Sequence, residues 1–178
     1  AAGVGLGGGG LNSLLAAKLG GAARIVAIYV LEEKLALARD LGATDVFNAA
    51  DPDCMAKVRE ATGGGVDYAF EMVGSVKAMD LAYRITRRGG TTITAGLPHP
   101  DHTFNVQHVS LVAEERTVKG SYIGGCVPLR DMARYIALYQ RGRLPVDRLM
   151  SGRIGFDGLN AAFDRLAGGH AVRQVLVL

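Results

Sequence analysis

Gly5-Leu6-Gly7-Gly8-Gly9-Gly10 is the stretch on which the fold turns. A short apolar run, Ala1 to Val4, precedes it. Leu11-Asn12-Ser13-Leu14-Leu15-Ala16-Ala17-Lys18-Leu19 follows, with apolar residues at helical spacing. Strand, glycine turn and helix form the setting in which a G-x-G-x-x-G pattern signifies a dinucleotide site. The glycines permit a tight turn and let the backbone approach a pyrophosphate. The helix N-terminus then offers unbonded amides and the positive end of its dipole. The competing reading is a flexible glycine-rich terminus, and the rest of the chain decides between them.

Downstream the pattern alternates. Arg24 to Val30 is an apolar run of strand length, as expected of a strand buried on both faces. Glu32 to Leu41 has helical apolar spacing and stops at Gly42. Thr44 to Phe47 reads as a strand, and a helix capped by Asp51 or Asp53 runs to Ala61 before Gly63-Gly64-Gly65. Val66 to Glu71 is a fourth strand. A helix over Ser75 to Thr86 is expected to end at Arg88-Gly89-Gly90, with a fifth strand over Thr91 to Ala95. Val106 to Ala113 reads as helix, Arg116 to Ser121 as a sixth strand and Leu129 to Arg141 as helix. Strands alternating with helices predict an α/β Rossmann fold: a doubly wound, parallel six-stranded sheet with helices on both faces. The expected domain covers residues 1–154. A tail over 155–178 adds a short helix (Asp157 to Leu166) and a terminal strand (Val172 to Leu178), with one more strand over Met150 to Phe156.

Composition narrows the function. Hydrophobic residues make up 49% and charged residues 21%, as in globular proteins. The net charge of +3 comes from scattered basic residues, aromatics are 6% and Trp is absent. A nucleic-acid surface needs a basic stripe with stacking aromatics, so none is expected. No apolar run reaches membrane-span length, so neither a membrane partner nor a secretory leader is expected. The two cysteines, Cys54 and Cys126, lie far apart with no CxxC spacing. Free thiols and a cytoplasmic location are the simplest reading. His99-Pro100-Asp101-His102 and His108 resemble metal ligands, but no cysteine or carboxylate spacing completes a tetrahedral set. No metal site and no catalytic nucleophile is assigned. Glu71 ends a parallel strand at the crevice, where capping or salt bridging competes with a polar role in binding.

The sequence resembles the coenzyme-binding half of medium-chain, zinc-dependent alcohol dehydrogenases. The resemblance is carried by Gly5-Leu6-Gly7-Gly8, Glu33-Lys34-Leu35-Ala36-Leu37-Ala38, Leu41-Gly42-Ala43-Thr44 and Phe70-Glu71-Met72-Val73-Gly74-Ser75. Arg88-Gly89-Gly90, Val118-Lys119-Gly120-Ser121 and Val172-Arg173-Gln174 extend it over essentially the whole chain. The resemblance implies an NAD(H) site with Gly5, Gly7, Gly8 and Gly10 at the pyrophosphate. It places Lys34 at the adenosine ribose, and Val73, Leu97, Ser121, Tyr122 and Ile123 at the nicotinamide end. Arg173 would approach the pyrophosphate from the tail. The ligands for catalytic and structural zinc belong to the family's other half, so no zinc is expected in this chain. The family also implies a homodimer joined through the sheet edge, here Ser121 to Pro128.

Two positions depart from the family pattern. Tyr29 stands where the second strand usually ends in Asp, whose carboxylate binds both ribose hydroxyls. Losing such a contact costs about 1.5–3 kcal/mol. NADP gains no clear support, since Glu32 and Glu33 adjoin Lys34, the one nearby cation. Gly9 replaces the Val that usually backs the nicotinamide ring, and Leu31 adds apolar surface. Two functional readings follow. One is an NAD(H)-binding domain of an alcohol dehydrogenase-like oxidoreductase, not competent alone. The other is a Rossmann scaffold with a vacated, remodelled or engineered crevice that no longer binds NAD and takes another small molecule or catalyses a different reaction. For Tyr29 itself, a half-buried strand-end aromatic competes with a ligand contact. For Lys34, an exposed solvated lysine does.

Overall fold

A computed structural model describes all 178 residues. Six strands form one parallel sheet: β1 (Ala2–Val4), β2 (Val26–Tyr29), β3 (Asp45–Asn48), β4 (Val66–Glu71), β5 (Thr86–Thr94) and β6 (Thr117–Gly120). Their spatial order is β3-β2-β1-β4-β5-β6, the doubly wound order predicted. The chain reverses direction across the sheet between β1 and β4, so a crevice opens beyond their carboxyl ends.

The pleat assigns each strand's residues to two cores. Val26 and Ile28 face one side with Ala2, Val4, Val66 and Ala69, against helices α3 (Cys54–Ala61) and α4 (Val76–Ile85). Ile25 and Ala27 face the other, against α1 (Gly8–Leu19) and α2 (Glu32–Leu41), through Leu11, Leu14, Leu15, Leu35 and Leu41. A strand apolar at every position is therefore buried on both faces.

One boundary differs from expectation. The helix α4 stops at Ile85 and β5 starts at once, so Arg88-Gly89-Gly90 lies inside an irregular strand rather than capping a helix. Thr86 explains this. Its buried hydroxyl bonds the Ala82 carbonyl and the Thr92 hydroxyl, both at 2.8 Å, which fixes the turn from helix to strand. At Gly90 a β-carbon would lie 2.7 Å from Thr86 Cγ2, so the strand closes there only around glycine. Similarly, Asp53 occupies the position before α3 without a side-chain cap. The Asp51 carboxylate instead accepts from the Asp53 amide at 2.9 Å.

Beyond β5 lie α5 (His108–Ala113) and, after β6, α6 (Pro128–Gln140), which buries no residue. The strand β7 (Met150–Ile154) pairs with β8 (Arg173–Leu176) in a separate parallel ribbon, with α7 (Leu159–Ala167) between them. Both strands of this ribbon lie outside the six-stranded sheet. Leu149 and Val172 enter the core beside α1 and α2, and Arg148 pairs with Asp40, so the tail is held to the body. No helix is long and apolar enough to cross a membrane.

Candidate functional site

The glycine turn is built by close backbone approach. Gly5 leaves β1 at φ +101, a conformation that costs an L side chain 1 kcal/mol or more, roughly. Its amide bonds the Ile28 carbonyl of β2 at 3.0 Å. Gly10, one turn later, packs directly on the Gly5 carbonyl, and a β-carbon there would overlap it. The first amide bond of α1 runs from Leu11 to Gly7 at 3.0 Å, so the amides of Gly8, Gly9 and Gly10 have no acceptor within the helix. No side chain caps this end and no acidic residue lies in the first turn.

Arg173 comes to the same place from β8. A β-carbon on Gly8 would lie 2.9 Å from its Nη2. The Arg173 amide and that of Val172 are held by the Ser151 hydroxyl at 3.3 and 2.7 Å. A guanidinium at the positive end of a helix, with no carboxylate bound to it, is electrostatically unfavourable until an anion lies between them.

The residues expected at the nicotinamide end converge through Glu71. Its side chain is 1% exposed at the end of β4. Oε1 accepts from the amides of Val73 at 2.7 Å and Gly74 at 2.6 Å, and Oε2 from the Thr94 hydroxyl at 2.8 Å. Glu71 thus neither caps a helix nor forms a salt bridge: it shapes the loop after β4 and ties it to β5. Gly74, at φ +80, packs so closely on Leu97 that a β-carbon would lie 2.8 Å from the Leu97 carbonyl oxygen. Val73 lies over the glycine turn, its Cγ2 2.7 Å from where a Gly5 β-carbon would be. The structure therefore brings Gly5, Gly7, Gly8, Gly10, Val73, Leu97 and Arg173 to one crevice. Ser121 joins at its far side, its amide on the Thr94 carbonyl at 2.9 Å, while Tyr122 and Ile123 beyond it are exposed. At Gly9 the nearest atom to a β-carbon is Met72 Sδ at 3.9 Å, so the position is open.

At the end of β2 Tyr29 is half-buried, and its hydroxyl points to the tail, 3.4 Å from where a Gly169 β-carbon would lie. Leu31 meets the same glycine at 3.2 Å. Beside them His170 Nδ1 and Glu33 Oε1 are 3.0 Å apart, and Glu32 accepts from the Asn48 amide at 2.8 Å. Lys34 is not the solvated lysine one reading allowed. It is 4% exposed, forms neither ion pair nor side-chain hydrogen bond, and burial pushes its amine below the usual lysine range, opposed by Glu33. Gly169 and His170 carried no sequence signal, because the tail reaches β2 only through tertiary packing.

Elsewhere, Cys54 is buried, which raises its thiol above the usual range, and Cys126 is half-buried. His99 pairs with Asp101 at 3.5 Å in an exposed loop. No cluster of three or more His, Cys, Asp and Glu side chains could share a metal ion, so the side chains of this chain do not fit a zinc ion.

Comparison with known proteins gives the family and the fold. A family profile described as zinc-binding dehydrogenase matches residues 8–141. Alcohol dehydrogenase 1 of Trifolium repens is 31% identical over 97% of this chain and 46% of its own length. An alcohol dehydrogenase zinc-binding domain protein from Burkholderia ambifaria superposes with a TM-score of 0.94 at 31% identity, over 99% of this chain and 48% of that one. Benzyl alcohol dehydrogenase from Acinetobacter calcoaceticus gives 0.92 at 32% identity, over 97% and 47%. The chain spans about half the length of these relatives.

Proposed function

Because the chain belongs to the zinc-binding dehydrogenase family, and matches its coenzyme-binding half, we propose that it binds a nicotinamide adenine dinucleotide for an alcohol dehydrogenase-like oxidoreductase. The observation that carries this is the pairing of unbonded amides at Gly8, Gly9 and Gly10 with the Arg173 guanidinium at one helix end. Those groups would hold the pyrophosphate. Lys34 and Tyr29 would border the adenosine ribose; Val73, Leu97, Ser121, Tyr122 and Ile123 would border the nicotinamide. When bound, the dinucleotide supplies a hydride acceptor. This chain's part is to position that group and to shape the loop after β4 through Glu71.

NAD is the form implied by the family resemblance. The ligands for the family's zinc would come from the other half, together with most of the residues that shape the alcohol pocket. The 178-residue chain alone is expected to show no alcohol-dependent NADH formation. Calorimetric titration with NAD and NADP tests the binding role: micromolar affinity for either supports it, and no heat at millimolar nucleotide overturns it.

A second reading, a crevice that no longer serves the dinucleotide, draws on Tyr29 and Leu31 packing against Gly169. Replacing Tyr29 with Asp separates the two, since NAD affinity rises only if the phenol is what weakens it. Homodimerisation through the sheet edge at Ser121 to Pro128, just beyond β6, is a further proposal, supported by four exposed residues in β6 and by the exposed Tyr122 and Ile123. Sedimentation at high concentration tests it, a strict monomer counting against it.

A further inference from the structure

We infer that the face of the sheet at β4 and β5, between α1 and α6, is the seat of an amphipathic helix from the half of the dehydrogenase that these 178 residues do not span. Family and fold carry this, whichever molecule the crevice takes.

A parallel strand in the middle of a sheet is normally covered on both faces. In this chain β4 is covered on one. Val66 and Ala69 pack against Ala78, Ala82 and Ile85 of α4. On the other face Tyr68 is 53% exposed, and Phe70, paired in register with Ile93, is only partly buried, as is Ile93. Beside these residues lies a groove of about 710 Å³, walled by Ser13, Ala16 and Ala17 of α1. It shares Ser13, Ala16, Met72 and Gly124 with a second hollow of about 630 Å³ lined by α6. There Met132, Tyr135, Ile136 and Tyr139 recur at helical spacing and turn one apolar stripe to the hollow, although α6 buries no residue.

Chemistry, size and place name the occupant. The charged side chains at the groove's end, Arg24 and Asp67, are paired with Asp45 and Arg87, which leaves an apolar surface with no free charge for an anion or a nucleic acid. The joined hollows exceed the space of a small-molecule site, about 300–1,000 Å³. On a sheet face beside α1 the element that fits is a helix, since neighbouring helices pack about 8–10 Å apart. The chain covers 46% of one relative and 48% of another, so each has as much chain again from which such a helix can come.

The test reads tyrosine nitration by tetranitromethane on the intact chain. Tyr68 and Tyr135 line the groove, whereas Tyr122 is exposed outside it. Ala1 also lines the groove, so a helix joined there by a flexible glycine-serine linker reaches the seat at about millimolar effective concentration. The probe is a helix of about twenty residues of leucine, alanine and lysine with its leucines on one face; the control has the same composition in scrambled order. The amphipathic helix is expected to slow nitration of Tyr68 and Tyr135 about tenfold, as nine-tenths occupancy requires, and to leave Tyr122 unchanged. Ile136→Lys, at an exposed position of α6 where folding is not at risk, should restore both rates. Equal nitration with the two helices, or protection that Ile136→Lys leaves intact, overturns the inference. So does slowing of all three tyrosines in the unextended chain as its concentration rises, which assigns the face to a second copy.

Discussion

Gly10 lies against the carbonyl group of Gly5, with the carbonyl carbon 2.7 Å from where a β-carbon on Gly10 would be. That single approach sets the angle at which α1 leaves β1, and with it the direction in which the unbonded amides face. Gly9, between them in sequence, has no such constraint. The two glycines therefore make opposite predictions. Gly10→Ala is expected to cost about 3 kcal/mol or more, through overlap with backbone that cannot yield. Gly9→Ala is expected to stabilise by about 0.5–1 kcal/mol, from helix propensity alone. Urea unfolding of the two variants checks both; equal effects would show that the approach does not govern the turn.

Glu71 is a buried carboxylate whose three donors all come from the protein itself. Glu71→Ala leaves two amides and a hydroxyl without an acceptor and is expected to cost about 2–4 kcal/mol. Glu71→Gln keeps an acceptor for the amides and is expected to lose about 1–2 kcal/mol, the charge assistance only. Thermal unfolding separates the two, and amide exchange at Val73 and Gly74 should accelerate in the alanine variant.

The tail is held by few residues. Leu149 is buried against α1 and α2, whereas Leu129 of α6 is almost wholly exposed. Leu149→Ala should cost about 2–4 kcal/mol and Leu129→Ala less than about 0.5 kcal/mol. His170→Ala removes only an exposed pair with Glu33 and should change stability by less than about 1 kcal/mol. A large loss in His170→Ala would mean that the pair, rather than the apolar contacts, fastens the tail.

Lys34 gives a pH dependence with a definite sign. Burial lowers its folded pKa below the unfolded value. The folded chain therefore binds fewer protons in that interval, and stability rises with pH until the unfolded pKa is reached. Urea unfolding at a series of pH values within that interval measures the rise; Lys34→Met should abolish it.

The doubly wound order was legible because each cue was local. Apolar runs of strand length, helical spacing in Glu32 to Leu41, and Gly42 as a left-handed stop at φ +118 require no knowledge of distant residues. The glycine turn was equally legible, since its spacing is its geometry. The boundary at Thr86 was not, because a hydroxyl bonded to Thr92 across the turn decided it. Nor was the role of Glu71, whose partners include Thr94 on the next strand.

The sequence by itself determined that this chain makes a Rossmann sheet with a tight glycine turn after its first strand, since periodicity and glycine spacing act over a few residues. Only the tertiary structure decided that Lys34 is buried without an ion pair. Whether Lys34 is paired depends on where Glu32 and Glu33 find their partners. Those are Asn48 and His170, which lie 16 and 137 residues away and meet them only because β3 and the tail fold against α2.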